Sequence, residues 1–147
     1  MRRSTAAIAL IRRDQHGQTL WLAQWNARWN AYHFVGGHKR AAETFRDCLL
    51  REVAEELDLL HPSDYRAAPE PCLNVKHSAY SQRTKAETHY VMKLFHVKLT
   101  PDAHSKVASN PVNRWLIEAE IEAGQTRDGH PVSPTMKRLL WALMRGP

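Results

Sequence analysis

Three carboxylates, Glu52, Glu55 and Glu56, stand together in a stretch without Gly or Pro, Glu43 to Leu59, that reads as one helix closed by Pro62. At about 100° per residue they share one side of that helix, with neighbouring Cβ atoms roughly 5–6 Å apart. Like charges so placed repel. They gain stability when a cation sits among them, and hard divalent ions such as Mg²⁺ favour oxygen ligands in this number. A solvated acidic face would carry the same charges. Against that stands the opposite side of the helix, where Phe45, Leu49, Val53 and Leu57 recur every four residues and can pack into a core. The helix is expected to be docked on one side and acidic on the other.

The acidic residues also keep a fixed spacing to what precedes them. Gly37 is followed after five residues by Glu43, after seven more by Arg51-Glu52-Val53, and then by Glu55-Glu56 and the apolar Leu59. This resembles the Nudix box, G-x5-E-x7-R-E-U-x-E-E-x-G-U with U apolar. A match of this length arises by chance less than about once in a million tries. Asp58 stands where the family has Gly. Asp is among the few other residues that tolerate φ > 0, so the turn is expected to survive at a small cost. Val35 replaces the Pro that often precedes the Gly-Gly pair. Neither change removes a ligand.

The resemblance implies a fold of class α/β, a Nudix-type α/β/α sandwich with a mixed central sheet. It implies a pyrophosphohydrolase that cleaves the diphosphate linkage of a nucleoside diphosphate derivative by water attack at phosphorus, with Mg²⁺ or Mn²⁺. The substrate would be a nucleoside triphosphate or a nucleotide linked to another moiety. By position in the box, Glu52, Glu55 and Glu56 would be metal ligands and catalytic carboxylates, with Glu52 favoured as the base and the Gly36 carbonyl as a further ligand. Glu43 and Arg51 would pair and fix the loop against the helix. Outside the box, Glu87, Glu118 and Glu120 are alternative bases. The Gly36-Gly37 pair is expected to let the backbone turn sharply beside a phosphate or metal. Gly37, His38, Lys39 and Arg40, with Arg83 and Lys85, would hold substrate phosphates. Side chains of the types that read a base are Trp25, Trp29, Tyr32, Tyr80, Asn110, Asn113 and Trp115.

The elements that must position these groups are legible in outline. Residues 5–13 and 18–26 read as β-strands joined by a turn at Asp14-Gln15-His16-Gly17, and the second has apolar residues on both faces. Tyr32 to Val35 reads as a third strand leading to the glycines. Beyond the helix, His61 to Pro71 reads as an irregular connection and Cys72 to Tyr80 as a strand. Glu87 to Leu99 is the longest strand, with Tyr90, Met92 and Leu94 on one face and Val91, Phe95 and Val97 on the other. A sheet covered on both sides follows. Thr100 to Asn110 reads as a polar connection, Trp115 to Ile117 as a strand, and the next residues as a short helix ending near Gly124. Ser133 can cap a last helix whose apolar face is Met136, Leu139, Leu140 and Leu143.

The 147 residues suit one Nudix domain, 1–147, and 43% hydrophobic content is enough for a single packed core. Cys48 and Cys72 form no spaced metal cluster and read as small buried thiols of a reducing compartment. His33, His77, His89 and His96 offer no zinc-ligand spacing. The apolar run near the start ends at Arg12-Arg13 without a cleavage pattern, and no stretch approaches a membrane span, so a cytoplasmic protein without membrane contact is expected. A net charge of +6 attracts polyanions. A nucleotide diphosphate is the favoured partner over nucleic acid; the sequence leaves the oligomeric state open, and the resemblance makes a homodimer one candidate assembly. The competing reading is a non-catalytic Nudix-like module that binds a nucleotide or RNA. A di-iron carboxylate bundle is excluded, since it needs four long helices.

Overall fold

The structure is a computed structural model that describes residues 2–81 and 85–146. The acidic stretch forms helix α1, Phe45–Leu57. Thr44 caps it by accepting from the Asp47 N–H while the Asp47 carboxylate accepts from the Thr44 N–H, which satisfies two donors that the helix itself cannot. At the other end Asp58 takes the left-handed conformation, φ 54° and ψ 51°, so the turn of the family's glycine is kept. Leu49, Val53 and Leu57 are buried, Phe45 packs at the edge, and Cys48 joins them.

Strand β1, Arg2–Leu10, lies at the heart of the central sheet, parallel to the long strand β8, Ala86–Leu99, and antiparallel to β5, Gly36–His38. Strands β6, Tyr65–Ala67, and β7, Leu73–Ser81, pair with β8 antiparallel, which makes the sheet mixed. A second, antiparallel sheet holds β2, Arg12–Gln15, β3, Gln18–Asn26, β4, Ala31–His33, and β9, Asn113–Ile117. Residues of β1 alternate between two cores. Ala7 and Ala9 meet Leu49, Val53 and Leu57 of α1, while Ile8 and Leu10 meet Met136, Leu139 and Leu140 of the last helix, Pro134–Arg145. Helix therefore covers the central sheet on both sides, as the two apolar faces of β8 require.

Several expectations are corrected. The first run does not form one hairpin with the second, because the chain leaves the central sheet at Ile11 and β2 belongs to the other sheet. The hairpin turn itself is the residue pair His16 and Gly17, both at positive φ. The Gly-Gly segment is not a turn but strand β5. The connection before Pro71 contains β6, pinned to α1 by the Tyr65 hydroxyl, which donates to the Leu50 carbonyl at 2.6 Å. Pro101–Ala108 is a helix, α2, where a loop was expected: Thr100 caps it, Pro101 starts it, and only Ala103 and Val107 are buried. The short helix Glu118–Ala123, α3, and the last helix, α4, follow as expected. Cys48 is buried, but Cys72 is exposed, because it precedes β7 at the edge of the sheet.

Candidate active site

Strand β5 carries the two glycines past β1 and α1 so closely that a side chain at Gly36 would strike backbone and one at Gly37 would push the Glu52 carboxylate aside. Gly36 has φ 153°, and a Cβ there would collide with the Ala7 carbonyl of β1. A Cβ on Gly37 would lie 2.5 Å from Glu52 Oε1. The glycines thus serve close approach rather than a bend.

Arg51 ties this loop to the helix. Its Nε and Nη2 donate to Glu43 Oε2 at 2.6 Å and Oε1 at 2.9 Å, a bidentate pair, and Nη2 also donates to the His38 carbonyl at 3.1 Å. Nη1 donates to Glu52 Oε1 at 2.8 Å and reaches Glu55 Oε2 at 3.5 Å. Glu43 in turn accepts from the Arg40 N–H at 2.9 Å. The Arg51 guanidinium and the Arg40 N–H hold the Glu43 carboxyl down at about 2.

Glu52 and Glu56 lie one turn apart on the same helix face. Glu56 Oε2 accepts from the Gly36 N–H at 3.3 Å. Burial and the Glu52 carboxylate beside it push Glu56 up to about 8. Glu55 is exposed and turned toward Arg51. As the side chains lie, no group of three His, Cys, Asp or Glu among the described residues is arranged to hold a metal ion. The donor set nevertheless suits one. Glu52 and Glu56 are oxygen donors held so close that one takes up a proton in place of positive charge, and a divalent cation would fill that electrostatic need.

Glu56 opens onto a cavity of about 600 Å³. Its floor is the central sheet, Ala6, Ile8, Tyr90 and Met92, and its far walls are Trp25, Trp29, His33 and Phe34, with Gly36 and Gly37 at the acidic end. Trp29 is half exposed and meets the buried His33 ring edge-on at 4.8 Å. His33 shares a hydrogen bond of 2.8 Å with the Ser133 hydroxyl, and its burial lowers it to about 4, so it is neutral.

The other candidates divide. His38 lines the cavity, whereas Lys39 donates to the Arg40 and Glu43 carbonyls and Arg40 is exposed away from it. Arg83 lies outside the described residues, and Lys85 sits in the adjoining turn. Glu87 and Glu118 are exposed, and Glu120 accepts from the Ile117 and Arg127 N–H groups; none lines the cavity. Of the base-reading types only Trp25 and Trp29 line it. Asn113 is bound to Gln24 and to the Val107 carbonyl, and Gln24 also donates to the Glu56 carbonyl, so this pair braces α1. Sequence reasoning missed His33, Phe34 and Arg28, which also line the cavity. The available signal was that Arg28 lies between Trp25 and Trp29 and that His33 and Phe34 come soon after them on the way to the glycines.

Comparison with known proteins agrees with this architecture. The Ap4A hydrolase of C. elegans superposes with a TM-score of 0.66 at 16% identity, over 99% of this chain and 98% of that one. The NUDIX domain of Shewanella oneidensis NrtR, solved with ADP ribose, gives 0.66 at 15%, over 99% and 88%. The E. coli ORF135 protein gives 0.58 at 22%, over 99% and 91%. At these identities the likeness establishes the fold. No curated protein matches the chain. The model of the NUDIX domain matches residues 1–136, so the chain belongs to the NUDIX domain family.

Proposed function

We propose that this protein hydrolyses the diphosphate linkage of a nucleoside diphosphate derivative with the help of a divalent cation, Mg²⁺ or Mn²⁺. The observation that carries the reading is the placement of Glu56, backed by Glu52, at the acidic end of an aromatic-walled cavity. Glu52 and Glu56 would hold the cation, with Glu55 and the Gly36 carbonyl as further oxygen donors. Once bound, it would screen the phosphate oxygens and acidify water. Arg51, fixed by Glu43, orients Glu52 and keeps the glycine strand against the helix. Of the three box carboxylates Glu56 lines the cavity, and because it is raised to about 8 it would take a proton from the attacking water only once bound positive charge had returned it to the carboxylate.

The cavity suits a flat, partly apolar group at the other end of the substrate. Trp25 and Trp29 supply ring faces and edges, and Ile8 and Met92 an apolar floor. The solved relatives include a protein named as an Ap4A hydrolase and one solved with ADP ribose. Both names denote an aromatic base joined to a phosphate chain, the same class of ligand that we assign here. Mass analysis of products from a nucleotide library with Mg²⁺ tests the reading. A nucleoside monophosphate among the products supports it. Tight binding with no turnover of any library member would replace it with a binding module.

A further inference from the structure

We propose that a basic hollow at the far end of the central sheet binds a compact polyanion carrying several phosphate groups. The hollow has a volume of about 670 Å³ and shares no lining residue with the aromatic cavity. From Met92 beside that cavity to Lys98 in the hollow, β8 advances roughly 20 Å at about 3.3 Å per residue.

Four permanent cations converge there from three strands, Arg12 and Arg13 of β2, Arg66 of β6 and Lys98 of β8, with a single acid, Asp14, in the lining. Asp14 is already engaged, since it meets Arg12 at 3.8 Å and accepts from the Thr19 hydroxyl at 3.0 Å. Arg13 donates to Gln15 and lies over the Trp115 ring. Arg66 and Lys98 are left. They stand directly opposite each other in the β6–β8 register, a pairing of like charges that destabilises a sheet. Among the described residues no ion pair relieves either one. Two opposed cations in a concavity cost the fold stability and gain it back when an anion bridges them.

The lining holds no Trp, Tyr or Phe, and its rings are the small imidazoles of His96 and of His104, the latter already packed against Trp115 at 5.5 Å, so it lacks the broad aromatic platforms on which single-stranded nucleic acid stacks its bases. The size is that of a small-molecule site. A short polyphosphate chain has the charge density for the Lys98 ammonium and acceptor oxygens for the Arg66 fork.

Calorimetric titration with inorganic tripolyphosphate at low salt, without divalent metal, tests the assignment. Wild type is expected to bind, with affinity falling steeply as salt is raised. The double variant R66Q/K98Q is expected to lose at least about tenfold in affinity while Glu56→Gln binds as wild type does. Without ligand the double variant should melt at the same temperature as wild type or higher, because repulsion has been removed; a lower melting temperature would overturn the claim of uncompensated charge. Its nucleotide hydrolysis should be unchanged, which separates this site from the proposed catalytic one. Absence of binding to wild type overturns the proposal. So does binding that Glu56→Gln abolishes and the double variant keeps, and so does an RNA oligonucleotide that outcompetes tripolyphosphate for Arg66 and Lys98.

Discussion

Gly37 is packed against Glu52 so closely that one added carbon would meet Oε1 at 2.5 Å. Because Glu52 also accepts from Arg51 at 2.8 Å, the carboxylate cannot move aside without breaking that bond. Gly37→Ala is therefore expected to displace Glu52, to destabilise the fold by about 1–3 kcal/mol through overpacking, and to lower metal-dependent hydrolysis by at least about tenfold. Urea denaturation and a hydrolysis assay on the same preparation read both effects. Unchanged activity would mean that the position of Glu52 is unimportant to the chemistry.

Trp29 stands 50% exposed at the cavity wall, with the rest of its ring packed on His33. Trp29→Ala should cost about 1–2 kcal/mol of stability, less than loss of a fully buried aromatic. For a purine nucleotide substrate it should raise KM several-fold with kcat nearly constant, the pattern of a lost binding contact. An equal fall in kcat would instead place Trp29 in the chemical step.

His33 links stability to pH. Its buried imidazole protonates near 4 in the folded chain and near 6.5 in the unfolded one. Between those values the unfolded chain binds the extra proton, so the stability that neutral His33 permits is complete above pH 6.5 and is lost as pH falls toward 4. The loss by pH 4.5 is about 2–3 kcal/mol. Denaturation curves of wild type and His33→Gln at pH 7.5 and 4.5 should show the variant losing less by about that amount. Parallel losses would remove His33 as the cause.

Asp58 occupies a left-handed position at the end of α1, and its ion pair with Lys106, at 3.6 Å, is exposed and weak. Asp58→Gly should leave stability unchanged or raise it by up to about 1 kcal/mol, because Gly relieves the backbone but gains freedom when unfolded. Asp58→Val should cost about 1–2 kcal/mol, since a β-branched residue resists φ > 0. Neither should change hydrolysis, as Asp58 touches none of the box carboxylates. Thermal melts and rates on the pair of variants check this.

What the sequence revealed depended on how strongly one period dominated. In α1 and β8 the apolar residues kept their period over many positions, so the faces of Val53 and of Val97 could be assigned before any coordinates. In α2 only Ala103 and Val107 are buried, and polar His104, Ser105 and Lys106 between them hid the helix despite its Thr100-Pro101 start. The break at Ile11 was invisible because the alternation runs straight through it, Ala7, Ala9 and Ile11 entering one core and Ile8 and Leu10 the other, and the polar residues 12–15 that follow carry no apolar residue to mark a new strand. The box gave the acidic side of the candidate site, Glu52 and Glu56 on one face of α1, directly. The aromatic side was legible only in part: Trp25 and Trp29 stood among the base-reading types, whereas His33 and Phe34 meet Ile8 and Met92 only through the packing of one sheet on the other.

The central claim is that Glu52 and Glu56 hold a divalent cation that acts on a diphosphate. Its most direct test is the rate of nucleotide hydrolysis with Mg²⁺, with and without chelator, in wild type and in correctly folded Glu52→Gln and Glu56→Gln. Wild type should lose activity with chelator and regain it with added Mg²⁺, and each variant should fall by at least about a hundredfold at saturating metal. Hydrolysis that proceeds at the wild-type rate in both variants, or that is indifferent to chelator, would contradict the account.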